Sequence, residues 1–299
     1  MSNIFMDEDE LKDIKPICEY ENYYNDDLDM IEEYGLYGFP YWDQHFPITK
    51  NVINGEVCTE VEPFSMVTIA SSKSGKTAMV ACVIASKLQQ HYHKIIIMSD
   101  TVNSKNNNTY WDRIDEQKLV KVEEFDESLL ESIFTSQSKI YNQQGWYINI
   151  LIYIDDFNVK SKILDKIYQK GRHKKISVIM SVHDINMVSG PLKQNSNYVM
   201  YLKTRGKYHQ ILNHFVYPYF DMETKEDLDD VKMLTTKIVN NPYTALIVET
   251  YEANKSVFRI PKHLLKYYKT KNNHTTRKID NTFSLRKYKK YKKYKKYKK

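Results

Sequence analysis

Between residues 61 and 250 the chain repeats one pattern, a short run of consecutive apolar residues followed by a turn and a longer segment of helical character. The apolar runs at 64–70, 94–98, 148–154, 176–182, 197–202 and 245–249 predict strands, and the segments at 77–91, 126–140 and 160–170 predict helices. Strands without polar alternation are the kind buried on both faces, and strands that alternate with helices build parallel sheets. The expected fold is therefore α/β, a mainly parallel central sheet with helices on both faces. Residues 101–125 read as a polar connection; in neither that stretch nor 204–240 does composition decide a role, so both are left as candidates for pore and subunit contacts.

Outside this region the pattern changes. Residues 1–33 hold 12 acids against 2 bases and read as a flexible acidic arm, followed over 34–42 by an aromatic loop punctuated by Gly and Pro. Residues 286–299 hold 10 bases and no acid in a Tyr-Lys-Lys repeat that has almost nothing to bury, so this tail is expected to be disordered. The expected organisation is an arm and loop over 1–60, a main domain over 61–255 and a basic tail over 256–299. The net charge of +6 thus conceals two oppositely charged ends. Lysines exchanged onto phosphates give salt-sensitive affinity, and interleaved tyrosines stack on unpaired bases, so nucleic acid is the natural partner of the tail. A solubilising tail, an import-like signal, or an intramolecular partner for the acidic arm are the other readings. With 299 residues, 41% of them hydrophobic, the chain can bury one substantial core. No apolar run is long enough to cross a membrane, and the opening residues lack the basic and apolar parts of a secretory leader. Cys18, Cys58 and Cys82 are widely spaced and form no CxxC pair, which suits a reducing compartment and argues against a zinc module.

The chemistry concentrates at three strand ends. Phe64 to Thr77 reads as a strand running into a phosphate-binding turn, AxxxxGKT, followed by an apolar helix. Such a turn points backbone N–H groups at the phosphates of ATP, and the following helix adds its positive N-terminal end. Ser71, Ser72, Lys73, Ser74, Gly75, Lys76, Thr77 and Ala78 form the expected cradle. Gly75 permits close backbone approach, Lys76 neutralises the β- and γ-phosphates, and the Thr77 hydroxyl ligates Mg²⁺. The bland alternative is a chance match in an ordinary strand-to-helix turn.

Asp155 and Asp156 end the apolar run from Ile150, where unpaired carboxylates would be costly to bury. Mg²⁺ would be the partner of Asp155, and Asp156 would orient or deprotonate the attacking water; Asp156 as a plain helix cap is the alternative. At either end of the strand 176–182, Arg172 could reach the γ-phosphate of a neighbouring subunit and His183 could sense the γ-phosphate and its water. Arg172 paired with an acid or a DNA phosphate, and His183 as a hydrogen-bonded strand end, are the competing readings. No NKxD guanine-reading motif is present, and the paired aspartates suit water activation better than transfer to a metabolite.

The ordered set MVTIASSKSGKT, LIYIDDF, KGRHKKISVIM and NPYTALIVE resembles the DNA-packaging ATPases of poxviruses and other large double-stranded DNA viruses, a branch of the FtsK-HerA group of P-loop ATPases. The resemblance covers roughly residues 62–250. It implies an ASCE (RecA-like) core with an additional strand between the phosphate-loop strand and the Asp-Asp strand. It also implies a homo-oligomeric ring of five or six copies, ATP-driven movement of duplex DNA, partners at the capsid portal or vertex, and a place in the virion and the viral factory of the host cytoplasm. Lys76, Thr77, Asp155, Asp156 and Arg172 match the motif residues of such enzymes. Ala70 stands where the first glycine is usual, and His183 where a glutamine is typical. A non-enzymatic DNA tether with a weakened nucleotide site is the competing reading that these departures suggest.

Overall fold

The computed structural model describes residues 37–38, 48–53, 56–104, 110–157, 160–204, 208–219, 225–240, 244–251 and 255–259. The acidic arm, the aromatic loop apart from residues 37–38, and the basic tail beyond residue 259 lie outside the described residues.

The strands are β1 (Tyr37–Gly38), β2 (Ile48–Ile53), β3 (Glu56–Val61), β4 (Ser65–Ile69), β5 (Lys94–Met98), β6 (Leu119–Val122), β7 (Ile150–Asp155), β8 (Ile176–Val182), β9 (Tyr198–Tyr201), β10 (Thr244–Glu249) and β11 (Lys255–Arg259). The helices are α1 (Lys76–Val83), α2 (Glu127–Gln144), α3 (Lys162–Lys170), α4 (Gly190–Asn195), α5 (Tyr208–Phe215) and α6 (Lys225–Asn240). β2 and β3 form an antiparallel hairpin of their own. The other nine strands make one sheet in the order β1-β11-β10-β9-β4-β8-β7-β5-β6. From β9 to β6 every pairing is parallel, and β10 runs antiparallel to both its neighbours. β8 is inserted between the phosphate-loop strand β4 and the Asp-Asp strand β7, the arrangement expected of an ASCE core.

The mainly apolar character of the strands follows from their surroundings. One face of the sheet packs Ile152, Ile154, Met180 and Val199 against Leu130, Ile133, Leu164 and Ile167 of α2 and α3. The other packs Leu151, Tyr153, Ile179 and Met200 against Met79, Val80 and Val83 of α1. α2 begins where Asp126 accepts the Leu129 amide at 2.9 Å, and it stops at Gly145, whose φ of 79° few other residues adopt. The Ser128 hydroxyl and that amide hold the Asp126 carboxyl below the usual carboxylate range. α3 begins where Ser161 accepts the Leu164 amide, and at Gly171 a Cβ would come within 3.2 Å of both Ile167 and the Ile176 carbonyl. The glycine is there because helix and strand approach too closely for a side chain.

Two expectations need correction. The helix predicted over 77–91 is α-helical only to Val83, continuing as a π turn over Ile84–Leu88 and a 3₁₀ turn over Gln89–His91. The segment stays helical to His91, with its hydrogen-bond spacing widening over Ile84–Leu88 and tightening over the last turn. Residues 101–125, expected as a polar connection, contain β6, a half-buried edge strand whose Lys121 breaks the apolar run. Among the described residues no helix is long and apolar enough to cross a membrane.

Candidate functional site

Parallel pairing sets the C-terminal ends of β4, β8 and β7 side by side. Ile69 is opposite Val182, and Asp155 opposite Ser181. The three sequence motifs that leave these strands therefore converge on one edge. The turn from β4 to α1 is tied down at its start, where the Ala70 amide donates to the Val182 carbonyl at 3.1 Å and the Ser71 amide to the Lys203 carbonyl at 3.1 Å. Lys73 (φ 62°) and Gly75 (φ 90°) both take left-handed backbone, which curls the loop tightly ahead of the helix. The first N–H groups of α1 have no acceptor within the helix, so they and the helix dipole face whatever anion sits in the loop. Ala70 is fully buried with its φ outside the left-handed region, and the departure from glycine costs no backbone strain.

The ionised groups meet above the strand ends. Lys76, 4% exposed, pairs with Asp156 and lies 3.6 Å from Asp155 Oδ1. The Thr77 hydroxyl donates to Asp155 Oδ2 at 3.0 Å. Burial pushes the Asp155 carboxyl above the usual range, opposed by the Lys76 ammonium and reinforced by the neighbouring Asp156. Asp155 Oδ1 accepts no hydrogen bond, and the buried Ser74 hydroxyl in the loop has no partner either. Asp156 sits just past β7 at φ 63°, left-handed backbone that costs a non-glycine residue about 1 kcal/mol or more and turns its side chain toward Lys76. His183 completes the cluster. Its Nδ1 faces the Ala70 carbonyl at 2.9 Å and its Nε2 lies 2.7 Å from Asp156 Oδ2, so acceptors stand before both ring nitrogens.

The residues fit a magnesium-bound triphosphate. Mg²⁺ takes one or two protein oxygens and keeps several waters. The unsatisfied, buried Asp155 Oδ1 beside the Thr77 hydroxyl is such a donor set. Among the described residues no group of three or more His, Cys, Asp and Glu offers an all-protein cage.

Arg172 is not part of this cluster. It is exposed in the 3₁₀ turn Gly171–Lys174, ahead of β8, so the length of that strand separates it from the site within one chain. The sequence reading also missed Tyr153. Its hydroxyl, buried beneath the carboxylates, donates to Ser181 at 3.1 Å, and burial raises it well above the usual tyrosine range. One tyrosine in an otherwise aliphatic ILIYI run was the available signal.

A parallel sheet with an inserted strand, a phosphate loop on one side and paired aspartates on the other define a P-loop ATPase of the ASCE type. The chain belongs to the family described as Poxvirus A32 protein, which matches residues 58–295. Among solved structures, the DNA-packaging ATPase B204 of Sulfolobus turreted icosahedral virus is 15% identical, with a TM-score of 0.50 over 67% of this chain and 100% of that one, a likeness of fold. The genome-packaging NTPase B204 of Sulfolobus turreted icosahedral virus 2, in complex with AMP, is 16% identical (TM-score 0.49; 67% and 99% covered). The pCW3 conjugation coupling protein TcpA is 12% identical (TM-score 0.48; 84% and 75% covered). No curated protein matches the chain.

Proposed function

We propose that this chain is the ATP-driven motor that moves double-stranded viral DNA into the capsid. The observation that carries the reading is the meeting of Lys76, Thr77, Asp155, Asp156 and His183 at three adjacent strand ends. Family membership supports the viral setting, and the fold shared with B204, the DNA-packaging ATPase of Sulfolobus turreted icosahedral virus, supports the task.

ATP lies in the loop 71–78, its phosphates against the N–H groups that open α1. Lys76 leaves Asp156 for the β- and γ-phosphates, which releases Asp156 to the attacking water. Thr77 and Asp155 would hold Mg²⁺, which would supply charge neutralisation to the triphosphate. Asp156 orients the water and accepts its proton as the water oxygen bonds to the γ-phosphorus and the bond to the bridging oxygen breaks. His183 holds Asp156 in line and contacts the γ-phosphate side of the site. Because Arg172 stands a strand's length away, it acts on a nucleotide only across a subunit boundary, in a ring of five or six copies. Residues 61–255 form the core of the motor domain in this reading, β11 adds residues to 259, and the basic segment beyond is a tether. Portal or vertex proteins of the capsid recruit the ring in the viral factory, and it stays with the virion.

The test is ATP turnover with and without duplex DNA, measured beside particle mass. DNA-stimulated hydrolysis by a ring, lost in Lys76→Ala and Asp156→Asn, supports the reading. Hydrolysis indifferent to both substitutions overturns it, and ATP binding without turnover makes the protein a tether.

A further inference from the structure

The nucleotide site leaves a row of lysines on α3 unexplained. Lys162, Lys166 and Lys170 recur at every fourth position, and Lys174 carries the spacing into the following turn. Residues four apart lie one above another on a helix, so the three ammonium groups on α3 stand in file over about 12 Å. All three residues are exposed. Like charges at this spacing repel and weaken a helix. Ordinary surface helices relieve that repulsion with acids on neighbouring turns, but residues 160–175 carry seven Lys and Arg against one Asp. That one, Asp165, is taken by the Ser189 hydroxyl at 2.6 Å. Among the described residues, no carboxylate stands within ion-pair distance of Lys162, Lys166 or Lys170.

The row is also held in place. Lys166 Nζ and Lys174 Nζ lie 4.6 and 4.8 Å from the centre of the same Phe134 ring on α2, and Lys174 donates to Ser138. Exposed Lys139 extends the positive charge beyond it.

We propose that this file of lysines is a contact face for the phosphate backbone of duplex DNA, an inference that rests on the packaging reading above. Evenly spaced point charges, without a pocket or the planar fork of arginine, answer to a polyanion whose charge is itself regular. Duplex DNA carries one charge per ~1.7 Å of axis, so about seven lie within the length of the row. Lysine–phosphate contacts carry no sequence information, as suits cargo of any sequence. The other polyanion at hand is the chain's own acidic arm, whose carboxylates are irregularly placed among apolar and aromatic residues.

The experiment uses the full chain with a duplex of arbitrary sequence, titrated between 50 and 200 mM salt, alongside Lys162→Glu/Lys166→Glu/Lys170→Glu and the milder triple change to Gln. Thermal unfolding and ATP binding serve as controls, since none of the three residues belongs to the nucleotide site. The expected result is weaker DNA binding, with the slope of log affinity against log salt reduced by about 3 in the Gln variant and by more in the Glu variant, at unchanged ATP binding. Duplex affinity and slope equal to wild type in both variants overturn the proposal. If deleting residues 286–299 removes DNA binding while the lysine variants do not, the face is wrong and the packaging reading stands. If wild type shows no salt-dependent duplex binding at all, both fall. Variants that keep DNA affinity but lose a cross-link between α3 and residues 1–33 assign the row to the acidic arm instead.

Discussion

The strand-end site and the lysine file on α3 both hold ionised side chains, and they handle them in opposite ways. At the strand ends Lys76, Asp155, Asp156 and His183 are mutually paired, two of them nearly buried. On α3 the lysines are exposed, without a carboxylate partner among the described residues. The difference is one of solvation. An ion removed from water loses several kcal/mol unless a partner replaces the hydration, so the buried charges close on one another until a ligand offers better contacts. Exposed ammonium groups are kept by water and can wait for a partner at little cost. Substitutions at the strand ends should therefore act on chemistry or folding, while those on α3 act on affinity and its salt dependence.

The sharpest way to break that contrast is at the reacting groups. Asp156→Asn or Lys76→Ala should lower ATP turnover on the order of a thousandfold or more, measured by phosphate release, with DNA affinity at saturating protein unchanged. Next comes the anchor of Asp156. His183→Ala should cost about 10- to 100-fold in turnover, as expected for the loss of one charged hydrogen bond, whereas His183→Gln, which keeps a donor, should lose much less. A smaller effect is structural: Gly171→Ala places a methyl group 3.2 Å from Ile167 and the Ile176 carbonyl, and should cost about 1 to 3 kcal/mol in denaturant unfolding. The smallest is the cap of α2. Asp126→Ala should cost about 1 kcal/mol. Because the folded-state carboxyl lies below its ordinary range, this contribution is present above about pH 4 and fades as pH falls through the depressed value, so wild type and variant should converge in acid.

Much of this was legible in the chain. β4, β5, β7, β8, β9 and β10 are mostly apolar and lack polar alternation because both faces of the sheet are covered, so their burial is written into consecutive residues. The phosphate loop and the paired aspartates were visible for a related reason: small, cationic and acidic residues at the ends of such runs violate the apolar pattern and demand an explanation. What escaped notice has the opposite character. β6 is an edge strand, half-buried, so its sequence resembles a loop. α5 and α6 mix polar and apolar positions in a region whose composition pointed nowhere. The contact of His183 with both Ala70 and Asp156 depends on strand order, a long-range property that no local window contains.

One consequence of that strand order concerns size. β8 is bonded along its length to β4 on one side and β7 on the other, and neighbouring strands keep a spacing of about 4.8 Å. The backbone ends of β4 and β7 are therefore held apart by the width of a single intervening strand, roughly a nanometre, which the side chains of Lys76 and Thr77 bridge, and that distance cannot be adjusted without tearing two ladders. Whatever the surrounding loops do during a cycle, the gap itself works as a rigid calliper.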